Sequence, residues 1–502
     1  MNRDRSIETM RRADEPFDVL IIGGGSTGLG AALDAALRGF RVALVERGDF
    51  ASGTSSKSTK LIHGGLRYLK QGNIPLVRES LRERERLLRN APSLVTPLGF
   101  VIPCYSRFTK AYYRLGVKAY DLLSGSKSLA NSGGLSASET LKLLPSVHAD
   151  GLVGGTLYFD AQFDDARLCI TLAIAATAEG ATLANYTSAA GFLKDADGRV
   201  IGVDARDEET GETFEVHARV VLNACGPWCD EIRQLDDANA QPMIAPSQGT
   251  HIVLDRRTLG GEHAMMIPKT DDGRILFAIP FGESIVVGTT DTALDRVPRE
   301  PGAMPDEIEF ILRTLNRYVQ NPIERSDIRS VFAGVRPLVR SGSASNTSKI
   351  ARNHVVRVAK RSGLLTVAGG KWTTFRQIAQ DAIDACADSG QLERTPCATH
   401  DYSLEPHIRP QADRDARERV HPNIGLSEAD IERMVTSEMA MRIEDVLARR
   451  NRALIHDARH CIEAAPAVGR AIANVRGEDK AWLDAECGAF VASASRALLG
   501  AG

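Results

Sequence analysis

Neither sign of charge is in excess in this sequence: 62 lysines and arginines stand against 64 aspartates and glutamates. No global field therefore draws the protein to nucleic acid, and any phosphate it binds must be held by local groups. A C-x-x-C pair is also missing. The eight cysteines (Cys104, Cys169, Cys225, Cys229, Cys386, Cys397, Cys461 and Cys487) offer only "CGPWC" at 225–229, one residue too long for that redox motif. Reduced, packed thiols of a cytosolic protein are the expectation. The opening "MNRDRSIETMRRADE" is charged throughout and has no apolar stretch of the kind a secretory leader carries. No apolar run approaches the roughly 20 residues that cross a bilayer. Internal repeats, metal-ligand clusters and a Ser-His-Asp hydrolase pattern are absent too. These absences leave a cytosolic chain without a metal, one that at most lies on a membrane surface.

With 502 residues the chain is too long for one hydrophobic core, and 43% hydrophobic with 25% charged residues is an ordinary folded composition. Two or three domains are expected. "FDVLIIGGGSTGLGAALDAALRGFRVALVERGD" reads as strand, glycine turn, helix, strand. Asp18–Ile22 suits a buried parallel strand. Gly23, Gly25 and Gly28 form G-x-G-x-x-G: the first for the turn, the second for pyrophosphate approach, the third for helix–strand packing. A helix from about Ser26 to Arg38 would aim its N-terminal N–H groups at a phosphate. Arg41–Val45 is the second strand, and Glu46 ends it where a carboxylate can accept from a ribose hydroxyl.

The choice of dinucleotide comes from the far end of the chain. "GLLTVAGGKWTTFRQIAQDAID" (363–384) is another strand, a Gly-Gly turn and a helix opening at Thr373-Thr374. A helix N-terminus there would suit a reduced flavin, which carries negative charge around N1 and its C2 carbonyl. Between the two, "GRVIGVDARDEETGETFEVHARVVLNACGPW" (198–228) reads as a β-meander with a turn near Glu208–Glu212. The layout is that of a two-part FAD-binding fold, with flavin clamped by segments far apart in sequence.

"IIGGGSTGLGAALDAALRG", "SSKSTKLIHGGLRYL", "FDDARL", "NACGPW", "GTTDT", "GVRPL" and "GGKWTTFR" occur in this order over about residues 17–385. Together they resemble the FAD-dependent, respiratory glycerol-3-phosphate dehydrogenases, within the D-amino-acid-oxidase-like flavoproteins. The last hundred or so residues are similar to that family's helical C-terminal domain only loosely. The resemblance implies an α/β fold: a two-part Rossmann-like FAD-binding domain (1–80, 150–235 and 330–392), an α+β cap with an antiparallel sheet (81–149 and 236–329), and a helical C-terminal domain (393–502). It also implies that 54–66 runs along the flavin. Gly64 and Gly65 would then let the backbone approach the ring edge, and Ser56, Ser58 and Thr59 would lie close to the pyrophosphate or ribityl chain. Gly226, Gly370 and Thr373 complete the expected cofactor set.

Arg67 and Tyr68 follow the flavin-facing turn, and Arg336 in "GVRPL", Arg352 in "KIARNH" and Lys371 in "GGKWTT" belong to segments expected near the ring. Uncompensated burial of converging cations is very costly, whereas a phosphate dianion compensates two or more of them. "ARNH" departs from the acidic residue that usually follows that arginine in the family. His251, on the strand "SQGTHIVLD" that leads to the hairpin "RILFAIPFGESIVVGTTD", is the expected base, with Arg336 and Lys371 as its cationic partners. His63 and His354 compete for that role. The implied reaction is oxidation of glycerol 3-phosphate to dihydroxyacetone phosphate by hydride transfer to FAD. Electrons would pass to a membrane quinone, with the protein held peripherally at the inner face of the cytoplasmic membrane. "RFTKAYYRLGVKAYDLL" (107–123) reads as an interfacial helix or as one packed on the cap. Oxygen as acceptor, and a flavin amine or 2-hydroxyacid oxidase of the same fold, are the alternatives. "RESLRERERLLRN" (78–90) reads as an amphipathic helix, and the tail as helices that support oligomerisation, as in a homodimer, or docking.

Overall fold

Phe17–Ile22 is apolar at every position but Asp18, and as a strand it is buried on both faces at the centre of a parallel sheet. In this computed structural model, which describes residues 1–66, 69, 72–125, 129–340, 354–408 and 419–498, two large sheets organise the chain. The first has eight strands. Phe17–Ile22 pairs in parallel with Val42–Val45 on one side and Thr213–Asn223 on the other, and Leu365–Gly369 joins beyond that. Helices Ser26–Leu37, Asp165–Ala178 and Phe375–Gly390 cover one face through Leu29, Leu168, Ile170, Ile378 and Ile383. The other face is packed by helix Arg3–Arg11 and by the meander of Thr187–Lys194, Val200–Asp207 and Thr213–Asn223. The fold is the two-part FAD-binding type with its sheet-based cap.

The second sheet has ten strands. Its longest ladder pairs Ile244–Asp255 with Ile328–Val339, antiparallel, setting His251 opposite Phe332 and Ser247 opposite Arg336. The hairpin Leu276–Phe281 and Ser284–Gly288 turns at Gly282-Glu283 and extends the sheet. Val95–Cys104 and Gly154–Phe163 follow beyond Ala264–Ile267. Gly154–Phe163, and Ile328–Val339 from residue 330 onward, lie in stretches expected in the cofactor domain, yet they hydrogen-bond in this sheet. Helix Pro305–Asn316 covers one face through Ile308, Ile311 and Leu315. The opposite face, with Phe100, Tyr158 and Met266, is turned toward the cavity described below.

The C-terminal helices Glu428–Glu438, Ala458–Arg476 and Lys480–Ser495 form their own core around Ile431, Met434, Val446, Val468 and Phe490. Ser427 caps the first of them in a capping box with Asp430. All eight cysteines are free thiols. Among the described residues no helix is long and apolar enough to cross a membrane, and no cluster of His, Cys, Asp and Glu could hold a metal ion.

Candidate cofactor and substrate site

A single cavity of about 790 Å³ is bordered by both large sheets, within the size range of small-molecule sites. The glycine turn opens onto it: Gly23, Gly25, Ser26 and Thr27 line one end, at the N-terminus of helix Ser26–Leu37. Free N–H groups and the positive end of the helix dipole favour a phosphate there. Gly28 does not line the cavity. A Cβ on it would stand 1.9 Å from the Gly23 carbonyl oxygen, so this glycine lets the helix seat on its strand. Gly23 holds φ +114, and a Cβ there would lie 2.7 Å from the Ala224 oxygen. A tight backbone turn of this kind, opening a helix at the cavity wall, fits a dinucleotide.

Glu46 lines the same end. Its carboxylate accepts from the Gly24 N–H at 2.6 Å and the Gly48 N–H at 2.8 Å. Burial pushes its pKa up, against those two N–H groups that favour the ionised form. Gly226, Gly370 and Thr373 line the cavity as well. Gly370 holds φ +80, and a Cβ on it would meet Ile378 at 2.3 Å. The Thr373 hydroxyl bonds both the N–H and the carbonyl of His63 at 3.2 and 3.3 Å, tying the second helix N-terminus to the 54–66 segment.

Within that segment the phasing differs from expectation at two residues. Ser58, Thr59 and Gly65 line the cavity; Ser56 and Gly64 do not. Thr54–Ser56 is a turn of 3₁₀ helix, which buries Ser56 with its hydroxyl donating to the Gly53 carbonyl and presents Ser55 instead. A Cβ on Gly64 would fall 2.2 Å from the Tyr120 hydroxyl and 2.5 Å from Leu81. The packing of helices Ile74–Asn90 and Arg107–Ser124 therefore demands that glycine.

His251, Arg336 and Lys371 line the cavity too. Arg336 donates to Thr289 Oγ1 and the Thr290 carbonyl, both at 2.9 Å, and to the Gln248 carbonyl at 3.2 Å, with Asp291 at 3.4 Å. Lys371 donates to Ser80 Oγ. His251 Nε2 lies 2.9 Å from Thr59 Oγ1, and its ring stacks on Phe332 with centroids 4.7 Å apart. Nδ1 is buried with no partner among the described residues. Burial, together with the charges of Lys60 and Arg336, holds His251 well below the usual histidine range, so the ring is neutral. Of its competitors, His63 lines the cavity, whereas His354 lies off it and pairs with Asp381 at 2.8 Å. Arg67, Tyr68 and Arg352 lie outside the described residues.

Three contributions escaped sequence reasoning. Arg274, two residues before strand Leu276–Phe281, lines the cavity and pairs with Asp291 at 3.2 Å and Asp272 at 2.7 Å. Thr289, Thr290 and Asp291 of "GTTDT" hold Arg336, a role that the motif's spacing does not announce. Arg449 and Glu444 line the cavity from the C-terminal helical region.

With this geometry in place, likeness to known proteins carries weight. The family of FAD dependent oxidoreductases matches residues 18–376, and the C-terminal domain of alpha-glycerophosphate oxidase matches 404–482. A mitochondrial glycerol-3-phosphate dehydrogenase of Arabidopsis thaliana is 44% identical over 407 residues, covering 78% of this chain and 64% of that protein. A mitochondrial glycerol-3-phosphate dehydrogenase of Mus musculus is 42% identical over 412 residues, 79% of this chain and 56% of its own length. The chain thus spans less than two thirds of either. The solved structure of a glycerol-3-phosphate dehydrogenase from Bacillus halodurans, complexed with FAD, superposes with a TM-score of 0.79 at 27% identity. That match covers 99% of this chain and 98% of the other.

Proposed function

Because the chain belongs to the FAD-dependent oxidoreductases, in the branch of the glycerol-3-phosphate dehydrogenases, we propose that it oxidises sn-glycerol 3-phosphate to dihydroxyacetone phosphate. One observation carries the reading. One cavity is lined both by the dinucleotide-binding glycine turn and by Arg336, Lys371, Arg274 and a neutral histidine. FAD held along the glycine turn supplies a hydride acceptor. The protein's share is binding, orientation and one proton. Arg336 and Lys371 would supply the positive charge that holds the phosphate, with the Arg336 guanidinium positioned by its bonds to Thr289 and Thr290. That grip places the carbinol carbon and supplies the positioning part of the rate. Loss of hydride from the carbinol releases the hydroxyl proton as well, and the neutral imidazole of His251 is the group to take it. A phosphate dianion beside Arg336 would offset the cationic repulsion that lowers this histidine's basicity in the free protein.

For the acceptor we favour a quinone reached at a membrane surface. Helix Arg107–Ser124 buries Val117, Tyr120 and Ser124, and exposes Phe108, Tyr112, Leu115 and Leu122, at 81%, 47%, 73% and 82% of their surface. These four follow helical spacing and form one apolar stripe, bordered by the exposed Arg107, Arg114 and Lys118. Such a face suits an anionic lipid surface. Oxygen is the second reading, favoured by the match of 404–482 to an oxidase C-terminal domain.

The test is the visible spectrum of the anaerobic holoenzyme with added glycerol 3-phosphate. Bleaching of the flavin band supports the reading, and a yellow protein that stays yellow sinks it. Reoxidation by a soluble quinone analogue, set against air, then separates the two acceptors.

A further inference from the structure

The last part of the chain takes part in the cavity. Residues 445–450 form a π-helical turn, a form that appears mostly as single turns, often at functional sites. Here it delivers two consecutive arginines to one carboxylate. Arg449 Nε donates to Asp49 Oδ2 at 2.6 Å, and Arg450 donates to Oδ1 at 2.9 Å and again to Oδ2. Asn185 adds its amide to Asp49 at 3.1 Å and to the Met439 carbonyl at 2.8 Å. Arg449 also bonds Glu444 at 3.0 Å and Asp445 at 2.5 Å, and Asp445 accepts from the Tyr186 hydroxyl at 2.7 Å. Asp49, Arg449, Arg450 and Asp445 are all buried.

A buried carboxylate shared by two guanidinium groups is expensive to desolvate and is a poor device for stability alone. What it fixes is a position. Asp49 lies three residues after Glu46, in the turn at the ribose end of the cavity. The facing wall is hydrogen-bonded to this turn: the Tyr186 N–H donates to the Gly48 carbonyl, and the Thr187 N–H to the Glu46 carbonyl, both at 2.8 Å. Tyr186, Thr187, Glu46, Asp49 and Arg449 all line the cavity there.

We propose that the C-terminal domain is part of the FAD site: through Arg449 and Arg450 it clamps the Glu46–Asp49 turn against Tyr186 and sets how tightly the ADP half of the dinucleotide is retained. Arg450 is outside the cavity lining and acts as a positioning residue. The inference needs only FAD, not the substrate or the electron acceptor assigned above.

The experiment compares holoenzymes of wild type, Arg450→Met, Arg450→Lys and Ile472→Ala, the last a cavity in the C-terminal core, which holds no residue of the Glu46–Asp49 turn. Release of FAD on dilution, without substrate, is followed by the rise of flavin fluorescence, alongside thermal denaturation. Arg450→Met should release FAD at least about tenfold faster than wild type, the size of one lost charge-assisted hydrogen bond. Arg450→Lys should fall between, and Ile472→Ala should lose thermal stability while releasing FAD at the wild-type rate. Release from Arg450→Met and Arg450→Lys no faster than from Ile472→Ala would overturn the proposal. If Arg450→Met does not fold, the lysine variant decides alone. Because no substrate is present, the outcome is independent of whether glycerol 3-phosphate bleaches the flavin.

Discussion

His251 shows how much of this site's chemistry is set by what surrounds one ring. Burial comes first, then Lys60 and Arg336, and all three disfavour the imidazolium. Lys60 is itself buried and held down to about 8 by desolvation, partly restored by Asp165. In the unfolded chain the histidine would titrate near about 6.5. The folded value is lower, so the unfolded state takes up the proton first and this residue costs stability as the pH falls below about 6.5. In selectively labelled holoenzyme the His251 ring resonance should not titrate between about pH 8 and pH 6; a midpoint near 6.5 would contradict the neutral, buried ring. His251→Asn should lower kcat by about 10²–10⁴-fold with FAD still bound. Arg336→Ala should raise KM for glycerol 3-phosphate by roughly 10–100-fold, as expected for one or two lost charge-assisted bonds. Unchanged steady-state kinetics would remove Arg336 from the site.

Between residue and fold, two elements carry distinct consequences. Helix Ser26–Leu37 reaches its strand only because position 28 has no side chain, with the Gly23 oxygen 1.9 Å from where a Cβ would be. Gly28→Ala should push the helix outward, lower stability by about 1–3 kcal/mol as overpacking does, and yield protein depleted of FAD in its absorption spectrum. Helix Arg107–Ser124 offers the converse case. Phe108, Leu115 and Leu122 are exposed, so Phe108→Glu, Leu115→Glu and Leu122→Glu together should leave the melting temperature and dye-coupled turnover unaltered. The same triple change should abolish co-flotation with anionic vesicles. Flotation equal to wild type would mean that this face does not meet lipid.

Across the whole molecule, buried charge ties the C-terminal domain to the rest. Lys60 meets Asp165 at 2.6 Å, Arg452 reaches Asp165 at 2.8 Å, and Arg167 meets Glu438 at 2.8 Å. Burial raises the pKa of Asp49, Asp165 and Glu438, but their cationic partners outweigh it and hold all three below the usual carboxylate range. Such groups stabilise the fold above their unfolded values near about 4, and the contribution is lost as the pH drops through the folded ones. His251, with His456 held down to about 4 chiefly by burial, adds a decline that starts below about 6.5. The melting temperature should therefore fall gently from about pH 6.5 and steeply below about pH 4, with little dependence on salt because the pairs are buried. A maximum at or below about pH 5 would contradict this.

The glycine turn, the strand ending at Glu46, the hairpin turning at Gly282 and the Gly-Gly turn at 369–370 were legible from sequence alone, because strand and helix periods and positive-φ turns are local properties. Identity of the dinucleotide was legible too, since the segments that clamp it keep a fixed order along the chain. Which of Ser55 and Ser56, or of Gly64 and Gly65, faces the cavity was not. One turn of 3₁₀ helix and the approach of Tyr120 decide that, and neither is encoded in the residues themselves. Nor could spacing reveal that Thr289 and Thr290 hold Arg336, which follows from strands paired across the cap sheet. Least visible of all was the meeting of Asp49 with Arg449, 400 residues apart. A lone acidic residue after a strand and an arginine pair in a helical tail each read as surface charge, and only the packing of one domain on another removes the water between them.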